Sequence, residues 1–254
     1  MDEIRVEGYG CTNIGHDRLI NEDHYDMTDS LFILADGMGG HNAGEIASNI
    51  AVKNIIDIIG KYDPEAYDKH TDKTKIQKII TQAISKTNEA IISRSSENIE
   101  YKGMGTTIVL ALLQKQDTIH IANVGDSRAY LYRMGKLELL TEDHTITANM
   151  LRDGTITPSE VKNHPYRHYL SQSLGTSKNI KPFSSFFHIL QNDIILLCSD
   201  GLWNALKEHE ITKILKQQTT SKKICIDLIN HALDHNSQDN ITCIILKVKK
   251  ENRS

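Results

Sequence analysis

The sequence predicts an α+β fold in which mostly antiparallel sheets are layered with helices. Three observations predict it. Short apolar runs rich in β-branched residues recur along the 254 residues, most of them bounded by turn signals, as strands are. Helical patterns are grouped between these runs and do not alternate with them one for one, which argues against a doubly wound sheet. Several neighbouring runs are joined too tightly for a helical crossover, so they pair antiparallel.

The elements follow in order. FILA (32–35) is the first clear strand. AGEIASNIAVKNIIDII (43–59) places Ile or Val at i, i+4 and i+7, a helical spacing, with Asn42 as its candidate cap. TKIQKIITQAISKTNEAIIS (74–93) repeats the pattern with Thr74 as candidate cap. Strands return with TTIVLALL (106–113), TIHIANV (118–124) and AYLYR (129–133), and MGK (134–136) turns the last of these into LELL. The stretch 141–180 is less regular and reads as a flap inserted on the body, with LRDG closing one short helix and TPSE opening another. FFHIL (186–190) and DIILLC (193–198) are strands, HEITKILKQ and KKICIDLINHALD are helices, and ITCIILKV (241–248) is the closing strand. The basic KVKKENRS (247–254) reads as a short solvated tail.

Composition narrows the class. The length suits one domain, which buries roughly 70–75% of its extended surface and folds without disulfide or metal staples. A formal net charge of -4 gives no footprint for nucleic acid or an anionic membrane. No apolar run approaches the ~20 residues of a membrane span. MDEIRVEGYG is too acidic and polar for a signal peptide. Cys11, Cys198, Cys225 and Cys243 form no CxxC pair. They read as buried, reduced thiols of a cytoplasmic protein. Nothing argues for an oligomer, so a monomer is expected.

The chemistry sits at strand ends. FILAD ends at Asp36, IANVGD at Asp126 and IILLCSD at Asp200, while Asp239 opens the last strand. One such aspartate is an ordinary turn or cap. Four that converged would repel one another, so either their pKa values rise or a cation sits among them. An all-oxygen set suits Mg²⁺ or Mn²⁺ rather than zinc, for which no HExxH is present. After Asp36, Gly37 would let its carbonyl approach an ion, and Gly39 and Gly40 would allow the turn into the helix. GMGGHNAG lacks the GK[ST] of a phosphate loop and does not fit GxGxxG. Phosphate is therefore expected to bind through metal.

These residues resemble the metal-dependent protein serine/threonine phosphatases of the 2C type, the PPM family, in the style of its compact bacterial members. The resemblance runs through GHDRLINEDHY (15–25), LADGMGGHNAGEIAS (34–48), GMGTT (103–107), ANVGDSRAYLYR (122–133), LTEDHT (140–145), LSQSLGT (170–176), LLCSDGLWNAL (196–206) and DNIT (239–242). It implies a four-layer α-β-β-α sandwich over residues 1–250, with 251–254 as tail. It also implies two Mn²⁺ or Mg²⁺ ions at one end of the sandwich. Asp36 would bridge them, Gly37 would offer its carbonyl, and Asp200 and Asp239 would complete the pair. Asp126 with Asp200 would hold a weaker third ion. Glu22 and Asp23 would act mostly through metal-bound water, and Arg18 would grip the substrate phosphate.

Two positions depart from the family. Animal members carry histidine directly after Asp-Gly, as the proposed general acid. Met38 stands there, leaving His41 as the best candidate, with a cap neighbour or an indirect metal contact as its alternatives. Asn204 stands where some relatives have an aspartate near the third ion. His144 reads as structural. The expected activity is in-line hydrolysis of phosphoserine and phosphothreonine in proteins by a metal-activated water, opposing a Ser/Thr kinase. A catalytically silent phosphoprotein-binding scaffold and a hydrolase of small phosphate esters are the alternatives.

Overall fold

The computed structural model describes residues 4–39, 43–61, 72–114, 117–217 and 219–250. The chain begins with β1 (Ile4–Asn13), β2 (Asp23–Met27) and β3 (Leu31–Met38), then passes through α1 (Gly44–Gly60) and α2 (Lys73–Glu97). Next come β4 (Gly105–Thr106), β5 (Ile108–Gln114), β6 (Thr118–Val124), β7 (Arg128–Arg133) and β8 (Lys136–Leu139). The short helices α3 (Ile146–Arg152) and α4 (Pro158–Val161) precede β9 (Phe183–His188) and β10 (Ile194–Cys198). Then α5 (Asp200–Trp203), α6 (Glu208–Leu215), α7 (Ser221–Asp234) and β11 (Ile241–Lys250) complete the series.

The strands form two sheets, ordered β1-β11-β10-β7-β8 and β2-β3-β5-β6-β9, with β4 added to β3. Every pairing between them is antiparallel. The apolar runs are continuous because both faces of the central strands are buried. In β3, Leu31, Ile33 and Ala35 join a core under α1 and α2, while Phe32 and Leu34 enter a second core between the sheets. In β11, Ile241, Cys243 and Ile245 meet α6 and α7, while Ile244, Leu246 and Val248 fill the space between the sheets. Three cores separate four layers, the α-β-β-α sandwich expected of the family. No helix among the described residues is long and apolar enough to cross a membrane.

Local chemistry fixes the ends. Met134 and Gly135 both have positive φ, 51° and 82°, as the hairpin between β7 and β8 requires. Thr157 and Glu160 form the capping box that starts α4, so TPSE is a helix start. The cap of α2 is Asp72, not Thr74: its carboxylate accepts from the Thr74 amide at 2.9 Å. Ala43 occupies the cap position of α1 without a side-chain bond, and Asn42 lies outside the described residues.

Other differences have physical causes. The run 106–113 is interrupted at Thr107, whose amide donates to the Asp36 carbonyl and whose hydroxyl accepts from the Asp36 amide. Residues 247–250 are not tail but the end of β11, paired with Ile4 to Glu7 of β1; residues 251–254 lie outside the described set. β1 itself gives little strand signal, because Gly8 and Gly10 interrupt its alternation. A Cβ at Gly8 would stand 2.7 Å from the Phe32 ring, and one at Gly10 would stand 2.4 Å from the Tyr25 ring. The glycines let the two sheets close over those rings.

Candidate active site

One end of the sandwich holds a cleft of about 190 Å³ lined by Arg18, Glu22, Asp36, Gly37, Asp126, Asp200 and Asp239, among others. Asp36 is not at a strand end: β3 continues through Gly37 and Met38 to pair with β4. Asp36 faces Asp23 directly across β2 and β3, a like-charge pairing that a sheet does not tolerate without compensation. Asp126 lies just past β6, Asp200 is the first residue of α5, and Asp239 precedes β11.

The backbone around these groups is clamped. Asp36 is held from three sides: its amide donates to Thr107 Oγ1 at 3.0 Å, and its carbonyl accepts from Thr106 Oγ1 and the Thr107 amide, both at 2.8 Å. Gly37 is glycine for packing: a Cβ there would fall 2.2 Å from the Gly44 carbonyl oxygen and 2.7 Å from that of Glu22. Asn240 pins the loop between β1 and β2. Its Oδ1 accepts from the Glu22 amide at 2.8 Å, and its Nδ2 donates to the carbonyls of Ile14 and Ile20 at 2.9 and 3.1 Å. Ser199 donates to Asp23 Oδ2 at 2.8 Å. The Trp203 indole donates to the Asp126 carbonyl at 3.0 Å and stacks on Arg128, which holds Asp143 through two nitrogens. Asn240, Ser199, Thr106, Thr107 and Trp203 were absent from the sequence-derived site, although DNIT, SDGLW and GMGTT contain them.

Electrostatics set the character of the cleft. Burial, and then the charges of Asp23, Asp200, Asp126 and Asp239, push the Asp36 carboxyl well above the usual carboxylate range. Burial followed by Asp126, Asp239 and Asp23 does the same to Asp200. Burial and then Asp143 push Asp126 up to about 7, against the opposing Arg128. Burial pushes Asp23 up to about 6 despite hydrogen bonds from Thr242 and Ser199. Burial also raises Glu22, with Arg18 opposing it. Asp23 Oδ1 and Asp200 Oδ1 are buried with no hydrogen-bond partner. Buried, unpartnered carboxylate oxygens in a mutually repelling set are what a divalent cation would satisfy.

The donor set also bears on how such ions would be held. Among the described residues no three carboxylates bring an oxygen each within 4.8 Å of one another; Cys11, Cys225 and Cys243 are the only three His, Cys, Asp or Glu side chains that do so with their ligand atoms. The acids therefore ring the cleft without closing a cage. That suits hard cations that keep much of their water.

The remaining site residues are placed as follows. Arg18 sits half-exposed at the rim, donating to Asp239 Oδ2 at 2.7 Å with Glu22 at 3.8 Å. Asn204 donates to Asp200 Oδ2 at 3.2 Å. Met38 is in β3 beside Gly105, and His41 lies outside the described residues. His144 is buried and structural: its Nδ1 accepts from the Gly125 amide and its own amide donates to the Gly125 carbonyl. A second groove of about 730 Å³ shares Asp239 with the cleft and runs between Trp203 and the 141–180 segment, where Leu151 and His168 line it. A bridge from Thr106 to Leu174 ties that segment to the body, and one from Thr145 to Leu170 closes it on itself.

Comparison with known proteins agrees with this geometry. The chain is similar to the serine/threonine phosphatase stp of Listeria monocytogenes, 34% identical over 244 residues that cover 93% of both chains. It superposes on the serine/threonine phosphatase Stp1 of Staphylococcus aureus with a TM-score of 0.86, at 34% identity over 95% of this chain and 94% of the other. The catalytic domain of the serine/threonine protein phosphatase PstP, solved in complex with two manganese ions, gives 0.84 at 28% identity over 97% of this chain and 100% of that one. The family model described as protein phosphatase 2C matches residues 15–241, a span that takes in the clamped acids, their glycines and both sheets, and the chain belongs to that family.

Proposed function

We propose that the chain hydrolyses phosphoserine and phosphothreonine in proteins, using two divalent cations, Mn²⁺ or Mg²⁺, held by Asp36, the Gly37 carbonyl, Asp200 and Asp239. The observation that carries it is the cleft itself. Acids from four separate segments line it, Asp36 and Asp200 are raised by burial and by their acidic neighbours, and Asp23 and Asp200 each keep an orphaned oxygen. The two manganese ions of the PstP catalytic domain support the ion count. Asp126 with Asp200 would take a third, weaker ion, and Asn204, already bonded to Asp200, would add a neutral oxygen in place of a charge. Glu22 and Asp23 would orient water in the cleft. Cations held by these residues would neutralise phosphate charge and would lower the pKa of a bound water toward neutrality.

The chain's own residues do the rest. Arg18 is held at the rim by Asp239, where its planar guanidinium would grip two phosphate oxygens in a way lysine cannot. Thr106 and Thr107 hold the Asp36 backbone rigid. Asn240 fixes the loop that carries Arg18 and Glu22. The groove beside Asp239 would receive the polypeptide around the phosphorylated residue, which favours proteins over small esters as substrates. His41 is the proposed proton donor to the leaving alkoxide. The reading is of a single-domain monomer over residues 1–250 that opposes a Ser/Thr kinase in the cytoplasm; four free cysteines, three of them buried, support a reducing compartment.

A phosphothreonine peptide and p-nitrophenyl phosphate, each assayed with Mn²⁺ and with EDTA, test the proposal. Peptide turnover that needs Mn²⁺ and stops with EDTA is expected. Turnover of the small ester alone would replace the protein substrate by small phosphate esters, and no turnover of either would leave a binding scaffold.

A further inference from the structure

We propose that Cys11, Cys225 and Cys243 form a second metal site, separate from the carboxylate cleft, that binds a thiophilic ion (cuprous copper or zinc) through three thiolates. The residues are far apart in sequence, and the fold brings them together. Cys11 of β1 and Cys243 of β11 are direct cross-strand partners. Cys225, in the second turn of α7, comes down onto that pair from the helical layer. The three sulfurs are separated by 2.7 Å (Cys11–Cys225), 3.3 Å (Cys225–Cys243) and 4.0 Å (Cys11–Cys243).

Those spacings can be compared with the requirement of a metal. Metal–sulfur bonds of ~2.3 Å place the sulfurs of a trigonal or tetrahedral site roughly 3.8–4.0 Å apart. The Cys11–Cys243 edge already fits. Both shorter edges involve Cys225, so a rotation of that one side chain opens them together. Further donors for zinc lie close by: the carbonyl oxygens of Cys243 and Tyr9 stand 3.3 and 3.6 Å from Cys225 Sγ. Cuprous copper needs no fourth ligand. Cys225 and Cys243 are buried and Cys11 is half-buried on the edge strand β1, which gives an ion a way in.

The ligand chemistry separates the two sites. Hard oxygen donors in the cleft select Mg²⁺ or Mn²⁺, whereas three sulfurs select soft ions. On binding, each thiol gives its proton to solvent, three metal–sulfur bonds form, and no electron is transferred. The net charge left is -2 with Cu⁺ and -1 with Zn²⁺. Lys222 stands over the Tyr9 ring at 5.9 Å. An occupied site would tie the edge strand β1 to α7, and with it the loop that carries Arg18.

The test uses the full chain, reduced, stripped of metal and kept free of oxygen, with Asp36→Asn and Asp239→Asn added so that the cleft does not compete. Cu⁺ is one arm; Zn²⁺, followed through Cd²⁺ as its spectroscopic stand-in, is the other. Sulfur-to-metal charge-transfer absorption saturating at one ion per chain is expected, with sulfur neighbours in the X-ray absorption spectrum. The arm that binds more tightly identifies the ion. Cys11→Ser, at a half-buried edge position, should weaken binding about tenfold or more, while Cys198→Ser should not. Circular dichroism confirms that each variant is folded. Absence of the band in both arms, or a band unaffected by Cys11→Ser, overturns the site.

Discussion

Asn240 is the residue through which the structure makes its most demanding prediction. It is 3% exposed and makes three hydrogen bonds to the loop between β1 and β2, one accepted and two donated, all between 2.8 and 3.1 Å. Asn240→Ala removes all three and fills the space with nothing. A net contribution of about 1 kcal/mol per bond gives a loss of about 3 kcal/mol, which for a chain of this length lowers Tm by about 6–12 °C. Because the loop carries Arg18 and Glu22, the KM for a phosphothreonine peptide should rise as well. Asn240→Asp restores only the acceptor, sets a charge against the Ile14 and Ile20 carbonyls beside Asp239, and should recover none of the loss. Thermal unfolding and steady-state kinetics on the same preparations measure both effects. A Tm within 2 °C of the parent together with an unchanged KM would refute the assignment of Asn240 as the pin of the site (a shift of about 2 °C is at most one hydrogen bond here).

Three other outcomes follow from the cleft and the core. Asp36→Asn removes one member of a repelling set, so in EDTA the variant should melt no lower than the parent while its Mn²⁺-dependent turnover falls by about a hundredfold or more; a lower Tm in EDTA would show that the repulsion is not there. Arg18→Ala should raise KM for phosphorylated peptide with little change in kcat, and Arg18→Lys should not rescue it; an unchanged KM removes Arg18 from the phosphate site. His120 is wholly buried between β5 and β9, with Nε2 bonded to Gln114 and Nδ1 without a partner, and burial followed by Lys73 pushes its pKa down to about 4. Its folded pKa lies below its unfolded value of about 6.5, so the unfolded chain takes the proton first and stability falls as pH drops from about 6.5 towards 4. Between about pH 7 and pH 5 this costs roughly 1–2 kcal/mol in urea unfolding, and His120→Gln should abolish that part of the loss.

The layers were legible in the sequence wherever burial is two-sided. FILA, TIHIANV and IILLC are continuous apolar runs because each strand serves two cores; the bounds of the last two match β6 and β10, while FILA covers only the apolar half of β3, which runs on through Asp36 to Met38. The acids were legible as a set, because aspartate beside glycine at the end of such a run is costly unless used. Three things were not legible. β1 hides behind Gly8 and Gly10, whose role depends on aromatic rings from other strands. The clamps on Asp36 and on the Arg18 loop are polar residues of ordinary type, and their partners are 70 or more positions away: Thr107 to Asp36, Asn240 to Glu22. The thiol cluster has no short-range spacing to announce it, because a sheet register and a helix crossing assemble it. Asn42 and Thr74 illustrate a smaller gap, where a plausible cap residue stands one or two positions from the start that packing selects.

The central claim is that the converged acids hold divalent cations, and counting those cations measures it most directly. A crystal soaked in Mn²⁺ and recorded at the manganese absorption edge should show two strong anomalous peaks in the cleft, within ligand reach of Asp36, Asp200 and Asp239, and neither peak in Asp36→Asn. A cleft without anomalous density in a protein that still hydrolyses phosphothreonine peptide would contradict the account.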